Sequence, residues 1–142
     1  MEYREEYDGS YLIRLHKGDE IISSLISLAD EFGLCGATFD GIGAVDKAEI
    51  GYFDTEMKDY VRVEISDQRE LLSLKGNIGS GPDEKLIVHA HVILGDRNMT
   101  VIGGHLFSGR VSVTVEIRLF PSDDIRREPD SETGLNLWEL NR

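Results

Sequence analysis

The chain has 142 residues and a formal net charge of −12, from 27 acidic against 15 Lys and Arg side chains. That balance argues against non-specific nucleic-acid binding, which needs clustered Lys and Arg to displace counterions from phosphates, and against an anionic membrane surface; it fits attraction of cations. An apolar content of 40% is enough for one core of ordinary domain size, and the single Cys35 excludes an internal disulfide, as suits a reducing compartment.

The first residues, Met1-Glu2-Tyr3-Arg4-Glu5-Glu6, are charged and have no signal-like apolar run, and no stretch reaches the roughly 20 apolar residues of a membrane span. The expectation is a cytoplasmic protein in a single domain, 1–142. Residues 10–16 read as a strand, before a turn at Lys17-Gly18. Asp19 is placed to cap a helix, and Ile21, Leu25, Leu28 and Phe32 recur at helical spacing behind it. Gly33 suits a left-handed stop.

Beyond Leu34 the period changes from helical to strand-like. Residues 36–45, 48–53, 60–65 and 71–78 read as successive strands, and Ser80-Gly81-Pro82-Asp83 as a turn. Residues 86–94 and 99–108 flank a short turn at Asp96-Arg97-Asn98, and 111–120 alternates Val111, Val113, Val115, Ile117 and Leu119 against polar residues. Many strands around one long helix predict an α+β fold with a mainly antiparallel sheet. Residues 121–142 form a charged tail, in which Leu135, Leu137, Trp138 and Leu140 predict docking on the domain or on a neighbouring subunit.

Three of the four histidines, His89, His91 and His105, lie within seventeen residues. Strand alternation puts His89 and His91 on one face, with Cα atoms about 6.5–7 Å apart. The place of His105 depends on hairpin register. A three-residue loop of Asp96, Arg97 and Asn98, with Asn98 left-handed, sets His89 opposite His105 and His91 opposite Gly103. A two-residue loop sends His105 to the other face unless a bulge at Gly103-Gly104 restores it. In the first register three imidazoles converge within a frame of Ile87, Ile93, Val101 and Phe107. Neutral imidazoles suit a borderline divalent metal such as zinc, and three protein ligands leave a position open, where a bound water could ionise near neutral pH. The competing reading is of polar residues on a sheet face. His16, far off in sequence, is a surface or core residue, and Cys35 a small buried side chain. Gly41-Ile42-Gly43 and Gly103-Gly104 lack the form of a phosphate loop and indicate turns, bulges or close backbone packing.

The run His89-Ala90-His91-Val92, Gly95-Asp96, Val101-Ile102-Gly103-Gly104-His105-Leu106 and Gly109, with Val111 to Val115 behind it, resembles the plants-and-prokaryotes-conserved (PPC) domain. Phe39-Asp40-Gly41-Ile42-Gly43-Ala44, the later Ala48, Ile50, Gly51 and Tyr52, and the helix opening Gly18-Asp19-Glu20 extend the resemblance over about 10–120. It implies a compact α+β domain, assembled as a homotrimer, with a metal at histidines like His89, His91 and His105 in some members. It implies no settled activity, and no catalytic residue or organic cofactor is assigned. Plant relatives carry the domain beside AT-hook segments; no Arg-Gly-Arg-Pro stands in this acidic chain, so nucleic acid is not carried over as a partner. Three functions remain open: a metal site that takes a small molecule and activates water, a non-enzymatic trimeric assembly module, and a DNA-associated regulator, which the charge disfavours.

Overall fold

The computed structural model describes residues 1–140. In chain order the elements are β1 (Glu2–Glu5), β2 (Tyr11–His16), α1 (Ile21–Phe32), β3 (Ala37–Asp54), β4 (Asp59–Ile65), β5 (Arg69–Ser80), β6 (Leu86–Gly95), β7 (Val101–Pro121), β8 (Arg127–Pro129) and β9 (Asn136–Trp138). The fold is α+β, mostly antiparallel sheet with a single helix among the described residues. No helix among them is long and apolar enough to cross a membrane.

The helix forms where the apolar period predicts it. Ile21, Leu25, Leu28 and Ala29 are buried on one face, and Gly33 ends the helix in the left-handed region at φ 65°. The cap is Glu20, not Asp19. Asp19 accepts instead from the His16 N–H at 2.9 Å across the Lys17-Gly18 turn. Glu20, in extended backbone, accepts from the N–H groups of Ile22 and Ser23 at 3.1 and 2.7 Å.

The main sheet runs β1-β2-β7-β6-β5-β3-β4, and an added β3–β7 ladder closes β7, β6, β5 and β3 into a ring. Inside it Phe39, Val45, Leu74, Ile78, Ala90, Val92, Leu94, Val115 and Leu119 form one core with the helix stripe. Two pairs of predicted strands are each one continuous strand. Residues 36–45 and 48–53 join as β3, whose bends are absorbed by register shifts at Gly41/Gly43 and Val45/Lys47. Residues 99–108 and 111–120 likewise join as β7. The sequence expectation of close packing at the glycines holds: a Cβ on Gly43 would sit 2.2 Å from the Thr114 carbonyl oxygen, and one on Gly104 2.6 Å from that of Gly51.

Charge hid β1 from the sequence reading. It is an edge strand, all four residues exposed, paired with Tyr11 to Arg14 of β2, and edges tolerate charge. Cys35 is exposed rather than buried, because it lies in the loop between α1 and β3. The tail folds back on its own domain: Ile125 exchanges backbone hydrogen bonds with Cys35 and Ser80, and β8 pairs with β9. Its anchor is polar. Leu137, Trp138 and Leu140 stay exposed, while Arg127 is only 5% exposed. The last two residues of the predicted tail, Asn141 and Arg142, lie outside the described residues.

Candidate metal centre

Alternation along β6 turns Ala90, Val92 and Leu94 into the core and leaves His89 and His91 on the outer face. The hairpin decides what meets them. Its three loop residues are Arg97, Asn98 and Met99, one later than the sequence suggests, and Met99 rather than Asn98 takes the left-handed conformation at φ 63°. The Asp96 carboxylate holds this loop, accepting from the N–H groups of Asn98 and Thr100. His105 therefore lies opposite His91, and Gly103 opposite Ile93. A slide of the whole pairing by one residue on each strand leaves face parity unchanged, so His105 still joins His89 and His91.

The three rings form a tight triangle, with centroids 5.1, 5.2 and 5.6 Å apart. One ligand nitrogen from each ring lies within 4.8 Å of those of the other two. His89 and His105 are half-buried and His91 is exposed, so the cluster opens to solvent on one side. His16 takes no part; it is exposed at the end of β2 beside Glu2.

A single transverse row positions two of the ligands. Arg62 of β4 lies across from Gly51 of β3, Gly51 from His105 of β7, His105 from His91 of β6, and His91 from Lys75 of β5, which has Asp40 of β3 on its other side. Directly opposed residues share a face. Gly51 keeps the row open beside His105: a Cβ there would lie 2.6 Å from the Phe107 ring. Phe107 and Tyr60 pack on His105 with centroids at 4.6 and 5.0 Å, and the Arg62 guanidinium lies over the Phe107 ring at 3.8 Å.

Sequence reading missed the neighbours of His89. Asn77 of β5 lies directly opposite His89. The buried Arg127 donates to Asn77 Oδ1 through Nη2 and to the Asn136 carbonyl through Nη1, at 2.5 and 2.9 Å. Nη2 also stands 3.5 Å from His89 Nδ1, and Trp138 Nε1–H donates to Asn77 Oδ1 at 3.3 Å. Asn77 follows from strand register once β5–β6 pairing is known. No local pattern flags Arg127, which arrives from the tail.

Burial favours the neutral form of two of the rings, His89 and His105. Burial lowers the pKa of His89, with Arg127 and His91 adding to the effect. Burial, with His89, His91 and Arg62, lowers that of His105 to about 4. Neutral nitrogens are what a metal requires. The donor set also fits an ion in a second respect: His105 Nδ1 is buried and has no hydrogen-bond partner. An unpaired buried polar atom is costly, and coordination through that nitrogen would give it a partner.

The chain matches the Plants and Prokaryotes Conserved (PCC) domain over residues 4–122, and it belongs to that family, abbreviated PPC above. No curated protein matches it. Among solved structures, a metal-containing protein from Archaeoglobus fulgidus is 37% identical, covering 98% of this chain and 99% of its own, with a TM-score of 0.86. A plant- and prokaryote-conserved protein from Pyrococcus horikoshii is 34% identical over 99% of this chain and 96% of its own, also with a TM-score of 0.86. A candidate DNA-binding protein from Bacteroides thetaiotaomicron is 26% identical over 99% and 98%, with a TM-score of 0.92.

Proposed function

We propose that this PPC protein binds a divalent metal, zinc in first place, through His89, His91 and His105, and that the open side of the ion receives a small molecule. The observation that carries the reading is the convergence of three nitrogen ligands within 4.8 Å on one solvent-facing patch. The metal-containing Archaeoglobus relative, alike over nearly the whole chain, supports it. Three neutral nitrogens favour a borderline ion over a hard one that prefers oxygen. When bound, such an ion supplies Lewis acidity to an oxygen-bearing ligand, including water. The chain's own residues disfavour protonation of His89 and His105 and leave one side of the cluster open. No side chain is assigned as a general base, so the reading stops at binding and polarisation. Elemental analysis of protein purified without a histidine tag tests it: about one equivalent of metal per chain, retained or gained with zinc, is the expected result. Less than a tenth of an equivalent, with no gain on adding zinc, would sink it.

A second reading concerns assembly as a homotrimer in a cytoplasmic setting, with one domain per chain. Ile42, Leu72 and Val113 are each half or more exposed on the outer sheet face and line one groove, which adjoins a second lined by Leu12, Ile42 and Arg118. A second copy of the chain would cover this strip, as large exposed apolar patches require. Sedimentation that gives a trimer supports the reading; a monomer at micromolar concentration rejects it. The Bacteroides relative's description raises DNA as a partner. The net charge of −12 weighs against it here, and salt-sensitive binding to duplex DNA near physiological salt would reverse that judgement.

A further inference from the structure

A site built only to hold a cation would not set a second cation against one of its ligands. Arg127 does that. Its side chain is 95% removed from solvent as judged by a residual exposure of 5%, and Nη2 faces His89 Nδ1 at 3.5 Å. Its hydrogen bonds go to neutral groups alone, the Asn77 side chain, the Asn136 carbonyl and His89, and its buried Nε–H has no acceptor. Arg127 stands in no salt bridge among the described residues. A buried guanidinium without a counter-charge is strongly unfavourable, and it also opposes a metal at His89.

The surroundings share its sign. Arg127 faces His89, Arg62 lies over the Phe107 ring that packs on His105, and among the described residues no carboxylate is hydrogen-bonded to the three histidines, although the chain carries 27 acidic residues. Lys75 lies opposite His91 in the same row, with Asp40 beyond it, and Arg62 is paired with Glu49 at 3.1 Å. Lys75 is exposed to solvent, whereas Arg127 is buried and has no carboxylate partner among the described residues. Three neutral ligands would leave the charge of a divalent ion uncompensated as well.

From this arrangement we infer that the ligand of the histidine site is a small oxyanion, a carboxylate or a phosphate, held between the metal position and the Arg127 guanidinium. This rests on the metal reading above. A guanidinium matches either oxyanion, and the donors an anion would take over are the unpaired Nε–H and the Nη2–H now spent on the long 3.5 Å contact to His89. The tail is then part of the site: β8 delivers the group that selects the ligand's charge.

The test uses the whole chain loaded with cobalt, whose visible spectrum reports its ligands. Oxalate and inorganic phosphate are titrated separately into wild type, Arg127→Gln and Arg127→Lys, after cobalt content is measured in each. The expected result is about one cobalt in all three, with binding of at least one oxyanion weakened about tenfold or more in Arg127→Gln and only partly restored, through charge alone, in Arg127→Lys. The preferred probe identifies the source, carboxylate or phosphate. Equal affinity in cobalt-loaded wild type and Arg127→Gln overturns the inference while the metal reading stands. Failure of wild type to take up cobalt overturns the metal reading, and this inference with it. Should Arg127→Gln fail to fold, zinc-loaded wild type decides: the Arg127 Nε–H resonance should move on saturation with the better oxyanion, and an unmoved resonance overturns the proposal.

Discussion

His105 stands directly across the β6–β7 ladder from His91, with ring centroids 5.6 Å apart. Opposed side chains share a face, so this pairing, together with the two-residue spacing of His89 and His91, assembles the triangle without any loop contributing a ligand. Sites on paired strands are held by the ladder itself, which makes each histidine individually testable.

Replacing His91 or His105 by Ala should lower metal affinity by more than the roughly 10–100-fold that outer partners of a ligand supply. His16→Ala, far from the cluster, should leave affinity unchanged. Competition with a chromophoric chelator measures both; equal retention in all variants would reject the ligand assignment.

Proton binding to the metal-free protein follows from the lowered pKa of His105, about 4 against the 6.5 of an ordinary histidine. Between those values the unfolded chain holds a proton at this position and the folded chain does not. The contribution to stability is therefore complete above about pH 6.5 and is lost as pH falls toward 4. NMR titration of the apoprotein should place the His105 midpoint well below that of an exposed histidine. The thermal midpoint should fall across the same window, less steeply in His105→Gln.

Gly51 separates Arg62 from His105 in the transverse row, and a Cβ there would meet the Phe107 ring at 2.6 Å. Gly51→Ala should cost roughly 1–3 kcal/mol by overpacking. Because Phe107 packs on His105, it should also weaken metal binding. Chemical denaturation and chelator competition on the same variant check the two effects; full metal affinity with full stability would contradict the packing described.

Glu20 ties the helix to the long strand. One carboxylate oxygen accepts from both Ile22 N–H and Gly109 N–H, at 3.1 and 3.0 Å, and the other accepts from Ser23 N–H at 2.7 Å. Glu20→Ala removes a cap and a tertiary hydrogen bond together, with an expected loss of about 2 kcal/mol. Asp19→Ala should cost less, since its carboxylate accepts from the His16 N–H and the Met1 ammonium in a partly solvated turn and caps no helix. A reversed order of the two in urea denaturation would show that the cap lies elsewhere.

Much of the candidate site was legible in the residues. Alternation puts His89 and His91 on one face whatever the tertiary context, and a three-residue hairpin loop brings His105 to that face under either placement of its left-handed residue. The helix stripe of Ile21, Leu25 and Leu28 and the stop at Gly33 were equally local, and the family pattern ran through the same segments. These features follow from backbone periodicity and turn geometry, which act over a few residues.

What the tertiary structure alone decided depends on contacts between distant segments. Whether Met99 or Asn98 turns left-handed is a small local difference, settled by which strand residues the whole sheet pairs, and it set His91 rather than His89 opposite His105. The fusion of two predicted strands into β3 rests on bulges that matter only against β5 and β7. Arg127, 38 residues from His89 in the chain, carries no periodicity or motif of its own. Only the folding of the tail across β5 and β6 buries its guanidinium beside the histidines, since burial of a charge is a property of everything packed around it and of no segment alone.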